Sequence, residues 1–562
     1  MGTSHARRWP RYLYILHMFP HRLTIGLVAA VLTALVPAPA YADEAPAYVT
    51  TTVKIPTRFH EDLRGEISIP AEHGTAMSGR FPVILQYTPY CSGSDTSLPT
   101  ESFWAPRRYV YAYVYFPGAC GSEGRLSVFG PKVGQAGHDA VEWLAVRTWS
   151  TGKVGMVGQS AAGISQLHTA REHPPHLTTI APNVASYDLY EDSAYPGGIQ
   201  NTLLLAGYAA TITSRFYGTG VTERAGDPDA PQDMLDSGAI HGDDFAAKAF
   251  THPLKDDFWT SRQVDLRDVD VPVFALSNWD DLFARAAPHL FLDTGSRRNR
   301  LTIGAGGHEL PKPGYDAMGQ ILTWMDYWLK GVQNGTVEKI ANEPVDYYVL
   351  GAGRWQTAKT WPPSPRVRSL RTAAGDTVGG ADGKLTTGPA DRGASQYTYV
   401  PGAGSPSGTE AQPINLDQRP VPGTAAAFAT DPLPDDLTVT GTPTVALRAA
   451  TTARDTDWLV RLVDIPPDGN QAAPENRVGD WWLATRGQLR ASHRAGHDHL
   501  EPVPAGQPVE YEITMLPISY RFKKGHRLAL IVTSADAVRG LGTPYPATNT
   551  VFHGSSVTLP LG

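Results

Sequence analysis

The residues best able to do chemistry lie in one short run, Gly158-Gln159-Ser160-Ala161-Ala162-Gly163. An apolar strand-like run, Lys153–Val157, precedes it, and Ile164–Glu172 follows with the apolar spacing of a helix. A serine on a sharp strand-to-helix turn is a nucleophile elbow, which needs small neighbours so that strand and helix can approach. Gly158, Ala162 and Gly163 meet that need, although the pattern is G-x-S-x-x-G and not G-x-S-x-G. A hydroxyl becomes a useful nucleophile when a base takes its proton and a carboxylate orients the base, and in elbow enzymes the acid and then the histidine follow the serine along the chain. Here the acidic pair Asp280-Asp281 follows the apolar run Val271–Leu276, and His308 closes the glycine-rich turn Gly304-Ala305-Gly306-Gly307 after Arg300–Ile303. An ordinary Gly/Ser turn would look the same as the elbow in isolation. The ordered acid and histidine, each after a strand-like run, raise His308 above the other histidines.

Such side chains need a scaffold that brings strand ends together. Phe81–Gln86, Tyr109–Tyr115, Lys153–Val157, Thr178–Ala181, Val271–Leu276 and Arg300–Ile303 are short continuous apolar runs, which predict strands buried on both faces as in a parallel sheet. Ala140–Val146, Ile164–Glu172 and Met318–Leu329 have helical spacing between or after them. The alternation predicts a doubly wound α/β domain, whose ligands bind at the carboxyl ends of the strands. Residues 187–265 break the rhythm with the aromatic, acidic stretch Tyr187–Tyr195, the apolar run Leu203–Ala209 and polar helix-like pieces, which suits a cap inserted over a site. From about Arg366 short alternating runs such as Leu437–Val439, Val445–Leu447 and Leu528–Thr533 predict an all-β sandwich, and Gly402–Thr424 reads as a long loop.

The composition of the 562 residues agrees with such a scaffold. The 55 Gly and 47 Pro are many for a helical bundle and too few for low-complexity disorder, and two Cys are too few for a disulfide framework. The net charge of −7 supplies no basic excess for a phosphate backbone, so nucleic acid is not an expected partner. Arg7, Arg8, Arg11 and Arg22 precede the apolar run Leu23–Val36, and Ala40-Tyr41-Ala42 ends it as an A-x-A cleavage site. Residues 1–42 are expected to be a secretory signal peptide, the apolar run being too short to cross a bilayer. Its removal leaves a secreted body of charge −11 with no membrane attachment expected. The Arg7-Arg8 pair raises a twin-arginine export signal but lies too far from the apolar run to carry much weight.

The ordered motifs resemble the family of serine hydrolases that includes bacterial cocaine esterase, the α-amino-acid ester hydrolases and the X-prolyl dipeptidyl-peptidases. The likeness runs through Thr88-Pro89-Tyr90, Gly121-Ser122-Glu123-Gly124, Val141-Glu142-Trp143-Leu144, the serine elbow, His252-Pro253 and Asp256-Asp257-Phe258-Trp259. It continues through Asn278-Trp279-Asp280-Asp281, Gly307-His308 and Asp326-Tyr327-Trp328-Leu329-Lys330-Gly331. In the last third it includes Asp455-Thr456-Asp457, Leu462-Val463-Asp464 and Gly525-His526-Arg527-Leu528. The resemblance implies an α/β-hydrolase core in two parts, 43–186 and 266–362, with a helical cap at 187–265. It also implies a C-terminal jelly-roll β-sandwich of the galactose-binding-like kind at 363–562.

The roles it implies are Ser160 as nucleophile, His308 as base and Asp281 as the acid that orients it. Asp281 is preferred to Asp280 because the family has an aromatic residue just before its acid, in the slot Asp280 fills. The Tyr90 hydroxyl and the Ala161 N–H would form the oxyanion hole, and a Cys91–Cys120 disulfide would pin two neighbouring loops, as an oxidising compartment permits. The chain departs from the family at Ala161, at Tyr115-Phe116-Pro117-Gly118 and at Ala305-Gly306-Gly307, so specificity does not carry over. Asp188, Glu191 and Asp192 in the cap are candidates to bind a substrate ammonium, against the plainer reading of a solvated acidic face. His493, His497, Asp498 and His499 have metal-ligand chemistry but sit in a polar, Arg-containing stretch and read as a solvated loop, and no metal or cofactor is expected. The expected function is two-step hydrolysis of a small-molecule ester, amide or peptide through an acyl-enzyme. An X-prolyl dipeptidyl-peptidase is the alternative enzyme, and a secreted binding protein with an idle hydrolase domain is the alternative of another class.

Overall fold

The computed structural model describes residues 47–91, 98, 100–202, 204–208, 245–375, 383–401, 417–467, 473–475, 477, 479–535 and 542–562. The expected signal peptide, the middle of the cap and most of the Gly402–Thr424 loop lie outside the described residues.

The first sheet holds β1 (Tyr48–Pro56), β2 (Asp62–Glu72), β3 (Thr75–Ala76), β4 (Phe81–Thr88), β5 (Val110–Tyr115) and β6 (Ser150–Gln159). It continues with β7 (Leu177–Asn183), β8 (Phe274–Asn278), β9 (Arg300–Gly304), β10 (Val345–Val349) and β11 (Arg354–Ala358). The order is β1-β2-β5-β4-β6-β7-β8-β9-β10-β11, with β3 paired to β2. The strands from β5 to β10 run parallel, while β1, β2 and β11 join antiparallel at the edges. All six predicted buried runs are strands of that parallel core. Every residue of β4 and β5 is buried, which explains why those runs lack the alternation of a half-exposed strand.

Helices Pro131–Ala145, Ala161–Ala170 and Ala317–Met325 contain or overlap the predicted helical segments, the last running on into a π-helical turn at Asp326–Lys330. Asp316 caps the Ala317 helix by accepting from the Gly319 N–H at 2.9 Å. The edge strands β1 and β2 and the hairpin β10–β11 were not anticipated. β1 is largely exposed and mixes threonines with a lysine, so it has no apolar run to betray it.

The chain leaves β4 toward β5 on one side and returns as β6 on the other. The crevice beyond the carboxyl ends of β4 and β6 is therefore the topological switch point of the sheet, where ligands of such folds are held. Beyond β11 the described chain is β-rich, with eleven strands in a second sheet and the antiparallel pair Leu437–Gly441 and Ile518–Phe522 apart from it.

Cys91 follows β4 and Cys120 follows β5, and the two form a disulfide with Cα atoms 5.4 Å apart, so the loops after two adjacent parallel strands are joined covalently. Thiol titration of the denatured, unreduced protein should find no free thiol. Closing a loop with a sequence separation of 29 removes chain entropy worth about 3–4 kcal/mol from the unfolded state, so Cys91→Ala/Cys120→Ala should lower the midpoint of denaturant unfolding accordingly.

Candidate active site

Ser160 sits between β6 and the helix Ala161–Ala170 with φ 57° and ψ −120°, a left-handed conformation that a non-glycine residue adopts only when its surroundings enforce it. The enforcement is visible atom by atom. Its N–H donates to the Asn183 carbonyl at 3.0 Å, and its own carbonyl accepts from the N–H groups of Gly163 and Ile164 at 2.9 and 2.8 Å. The turn closes so tightly that a Cβ on Gly158 would lie 2.4 Å from the Ala162 carbonyl oxygen, and one on Gly163 would lie 2.8 Å from that of Asn183. Two of the small residues noted in the sequence, Gly158 and Gly163, are therefore required by the backbone.

Asp281 lies in the turn after β8, its side chain fully buried. One carboxylate oxygen accepts from the Phe283 N–H at 2.7 Å, and the other is 2.6 Å from Nδ1 of His308, in the loop after β9. With Nδ1–H donated to the carboxylate, Nε2 is the basic nitrogen of the ring. Phe283 lies beside the imidazole with ring centroids 6.0 Å apart. Asp280, the other half of the acidic pair, turns away and makes two 3.1 Å contacts with the guanidinium of Arg477. Burial pushes the Asp280 carboxyl up from its ordinary range, with Arg477 opposing that shift.

Three buried carboxamides hold the histidine loop, and sequence reasoning gave none of them a role. Gln159, Asn183 and Asn278 are the last residues of β6, β7 and β8. Gln159 Nε2 donates to the His308 carbonyl at 3.0 Å, and its oxygen accepts from Asn183 Nδ2 at 2.8 Å. Asn278 Nδ2 donates to the carbonyls of Gly307 and Glu309, both at 2.9 Å, while its oxygen accepts from the Gly306 N–H at 3.0 Å. The residue preceding Ser160 is thus hydrogen-bonded to His308 itself. Three strand-like runs each leading into Asn or Gln was the signal available in the sequence.

Tyr90 and Ala161 stand after the adjacent strands β4 and β6, at the switch point. Both are buried, and the Tyr90 backbone is fixed by donating to Thr88 Oγ1 at 3.2 Å and accepting from the Tyr113 hydroxyl at 3.1 Å. Ala161 is the first residue of its helix, where backbone N–H groups lack intrahelical partners.

The cap carboxylates are not a solvated face. Asp188 pairs with Lys255 Nζ at 2.6 Å, and Asp192 accepts from Arg285 Nε and the Ser186 hydroxyl, each at 2.6 Å. Glu191 lies 3.3 Å from Nε2 of His497 and accepts from the Gly197 N–H at 3.3 Å. Burial pushes the Glu191 carboxyl up to about 7, the charge of Arg285 and the Gly197 N–H offsetting only part of the desolvation. Glu191, Asp192 and Arg285 line a cavity of about 80 Å³ together with Arg486 and Gln488 of the β-rich region.

His493 is buried with Nδ1 3.2 Å from that of His497, and the contact of this pair with Glu191 puts part of the expected solvated loop inside the protein. Asp498 and His499 pair with each other at the surface. Among the described residues no cluster of three or more His, Cys, Asp or Glu is placed to hold a metal ion.

The X-Pro dipeptidyl-peptidase (S15 family) profile matches residues 62–309, and the X-Pro dipeptidyl-peptidase C-terminal non-catalytic domain profile matches residues 339–558. The chain belongs to this family of serine hydrolases. It is 27% identical over 550 residues to the cocaine esterase of Rhodococcus sp. (strain MB1 Bresler), covering 87% of this chain and 91% of the esterase. In structure it is similar to an aminopeptidase from the marine sediment archaeon Thaumarchaeota archaeon, with TM-score 0.73 and 20% identity over 95% of this chain and 99% of the other. An α-amino-acid ester hydrolase is equally similar, with TM-score 0.73 and 20% identity over 95% of this chain and all of the other, 100%. These likenesses establish an α/β-hydrolase fold followed by a β-rich domain, as expected from the sequence.

The raised Glu191 carboxyl has a consequence for stability. A carboxyl that holds its proton more tightly folded than unfolded contributes stability that is complete below pH about 4.5 and is lost as pH rises through about 7. Glu191→Gln, which keeps the side chain neutral, should therefore have a higher Tm than the parent at pH 8, with the gap closing toward pH 4.5.

Proposed function

We propose that the chain is an exported serine hydrolase that cleaves an ester or amide through a covalent acyl-enzyme. Ser160 Oγ bonds to the carbonyl carbon while its proton passes to Nε2 of His308, whose charge the buried Asp281 balances. The Tyr90 hydroxyl and the Ala161 N–H donate to the oxygen on which negative charge develops, each worth about 3–4 kcal/mol at the transition state. The imidazolium then gives its proton to the leaving alcohol or amine. Water, deprotonated by the same nitrogen, attacks the acyl-serine and frees the acid.

The observation that carries this reading is the 2.6 Å Asp281–His308 contact, with the residue before Ser160 hydrogen-bonded to the same histidine. Ser160→Ala should cost about 10⁵–10⁶-fold in kcat on an activated acyl ester, and Asp281→Asn about 10⁴-fold, both with unchanged circular dichroism. Turnover undiminished in Ser160→Ala would end the assignment.

The substrate class that fits best is a small acyl ester without a free amine. Asp188 and Asp192 already have Lys255 and Arg285 as counter-ions, so recruiting them to a substrate ammonium would leave a partly buried cation unpaired. The relative named for an ester substrate spans most of both chains, which supports the same choice. Dipeptidyl-peptidase activity is the second reading, favoured by the family profile. Gly-Pro and acetyl-Gly-Pro anilides separate the two. Comparable kcat/KM for both, below that for simple acyl esters, is expected; strong preference for the free amine would favour the peptidase. No nucleic acid and no membrane attachment enters this proposal, and export rests on the leader-like residues 1–42 together with the disulfide.

A further inference from the structure

The acid and base of the proposed triad stand on loops of the hydrolase sheet, yet the residue beside the acid is held from the other domain. The Asp280 side chain is only 7% exposed, and its carboxylate meets Arg477 of the β-rich region through both terminal guanidinium nitrogens at 3.1 Å. The Arg477 side chain has no solvent exposure. Two further donors are used locally, Nε to the Leu483 carbonyl at 3.1 Å and Nη1 also to that of Glu475 at 2.9 Å. Glu475 in turn accepts from the Tyr348 hydroxyl at 3.2 Å and the Gly351 N–H at 3.0 Å, so one short segment grips the end of β10 as well as the acid turn.

The backbone of Asp280 is equally committed. Its N–H donates to the Gly306 carbonyl at 3.2 Å, two residues before His308, and the Trp279 N–H donates to the Gly304 carbonyl at 2.9 Å. Trp279 Nε1 donates to the Tyr348 carbonyl at 2.7 Å, which fixes the indole against β10. Asp280 therefore joins three things: the peptide of the catalytic acid next in the chain, the loop that carries the base, and a buried arginine of the β-rich domain. Displacements of about 1 Å in such groups cost about 100-fold in rate, so the anchor of this residue matters to the chemistry.

We propose that Arg477 is a positioning residue for the hydrolytic reaction, acting through its buried ion pair with Asp280 to set the geometry and the electrostatic balance of the Asp281–His308 couple. The C-terminal domain is on this account a working part of the active site and not only a neighbour. The proposal rests on the reading of Asp281 and His308 as acid and base. The charged groups facing the Asp280 carboxylate are Arg477, Arg486 and Glu475. His308 faces Asp281, and the adjacent Glu309 is paired with Lys312 at 2.5 Å.

The charges make the test specific. Arg477→Gln leaves a carboxylate beside the couple without its counter-ion, which favours the imidazolium and should raise the acid limb of the kcat/KM pH profile by about 0.5 unit. Asp280→Asn leaves the arginine alone and should lower the same limb by a similar amount. The double variant Asp280→Asn/Arg477→Gln restores neutrality and should return the limb close to the parent value. Arg477→Lys keeps the charge but loses the two-pronged contact, and should lower kcat about tenfold with KM and the limb unmoved.

A role confined to stability would lower Tm in these variants without moving the limb in opposite directions. Coincident limbs in the folded variants overturn the proposal. If removal of either charge prevents folding, Asp280→Glu, which keeps the charge one methylene further out, takes their place, and an unchanged kcat there overturns it. Failure of the triad reading is seen separately, as activity surviving in Ser160→Ala, whereas coincident limbs with Ser160→Ala inactive reject the role of Arg477 alone.

Discussion

A carboxylate buried to the last atom must be matched by donors, because an unpaired charge in a protein interior costs several kcal/mol. Asp281 is matched by the Phe283 N–H on one oxygen and the His308 imidazole on the other. The second partner lies in a different loop, so the match holds only while the ends of β8 and β9 keep their relative position. Much of the surrounding structure serves that condition. The parallel pairing of β8 and β9 from Phe274–Arg300 to Asn278–Gly304 brings the two loops level. Asn278, at the end of β8, then bonds three backbone groups of the histidine loop with its single carboxamide.

The same economy links Ser160 to His308. Ser160 owes its unusual backbone angles to hydrogen bonds with β7 and its own helix, and Gln159 carries the constraint across to His308. Asn183 completes the link, since its backbone carbonyl holds the Ser160 N–H while its side chain holds Gln159. The hydroxyl on the strained turn and the histidine loop are thus fixed to the same strand ends. The carboxamides at the ends of β6, β7 and β8 supply that fixity without adding charge.

Beyond the sheet, buried ion pairs knit the inserted and appended regions to the core. Asp192 with Arg285 ties the cap to the segment after the acid turn, and Asp280 with Arg477 ties the β-rich domain to that turn, while a 3.3 Å contact of Glu191 with His497 joins the cap to the β-rich domain. Truncating one member of such a pair costs more than the pair contributes, because the other charge is left unmatched. These contacts make cap, core and β-rich domain interdependent at the place where Asp281 lies.

Local pattern and order along the chain carried much of the fold and the candidate triad. Continuous apolar runs marked the buried parallel strands, because strands covered on both faces need apolar side chains at every position. The small residues around Ser160 marked the elbow, because no Cβ fits at Gly158 or Gly163. Order along the chain was enough to nominate an acidic pair and a histidine, and the two cysteines, read through the family likeness, were paired as the structure has them. What the linear sequence left open was which side chain faces which.

Asp280 and Asp281 have the same chemistry and neighbouring positions, and the family likeness favoured the second. The structure sends Asp281 to His308 and Asp280 to a residue 197 positions away. The roles of Gln159, Asn183 and Asn278, and the cations that occupy the cap carboxylates, likewise depend on strand ends and loops that meet only after folding. Apolar periodicity is written locally because each residue reports its own burial, whereas a hydrogen-bond or ion-pair partner is a property of two distant segments and is decided by their tertiary approach.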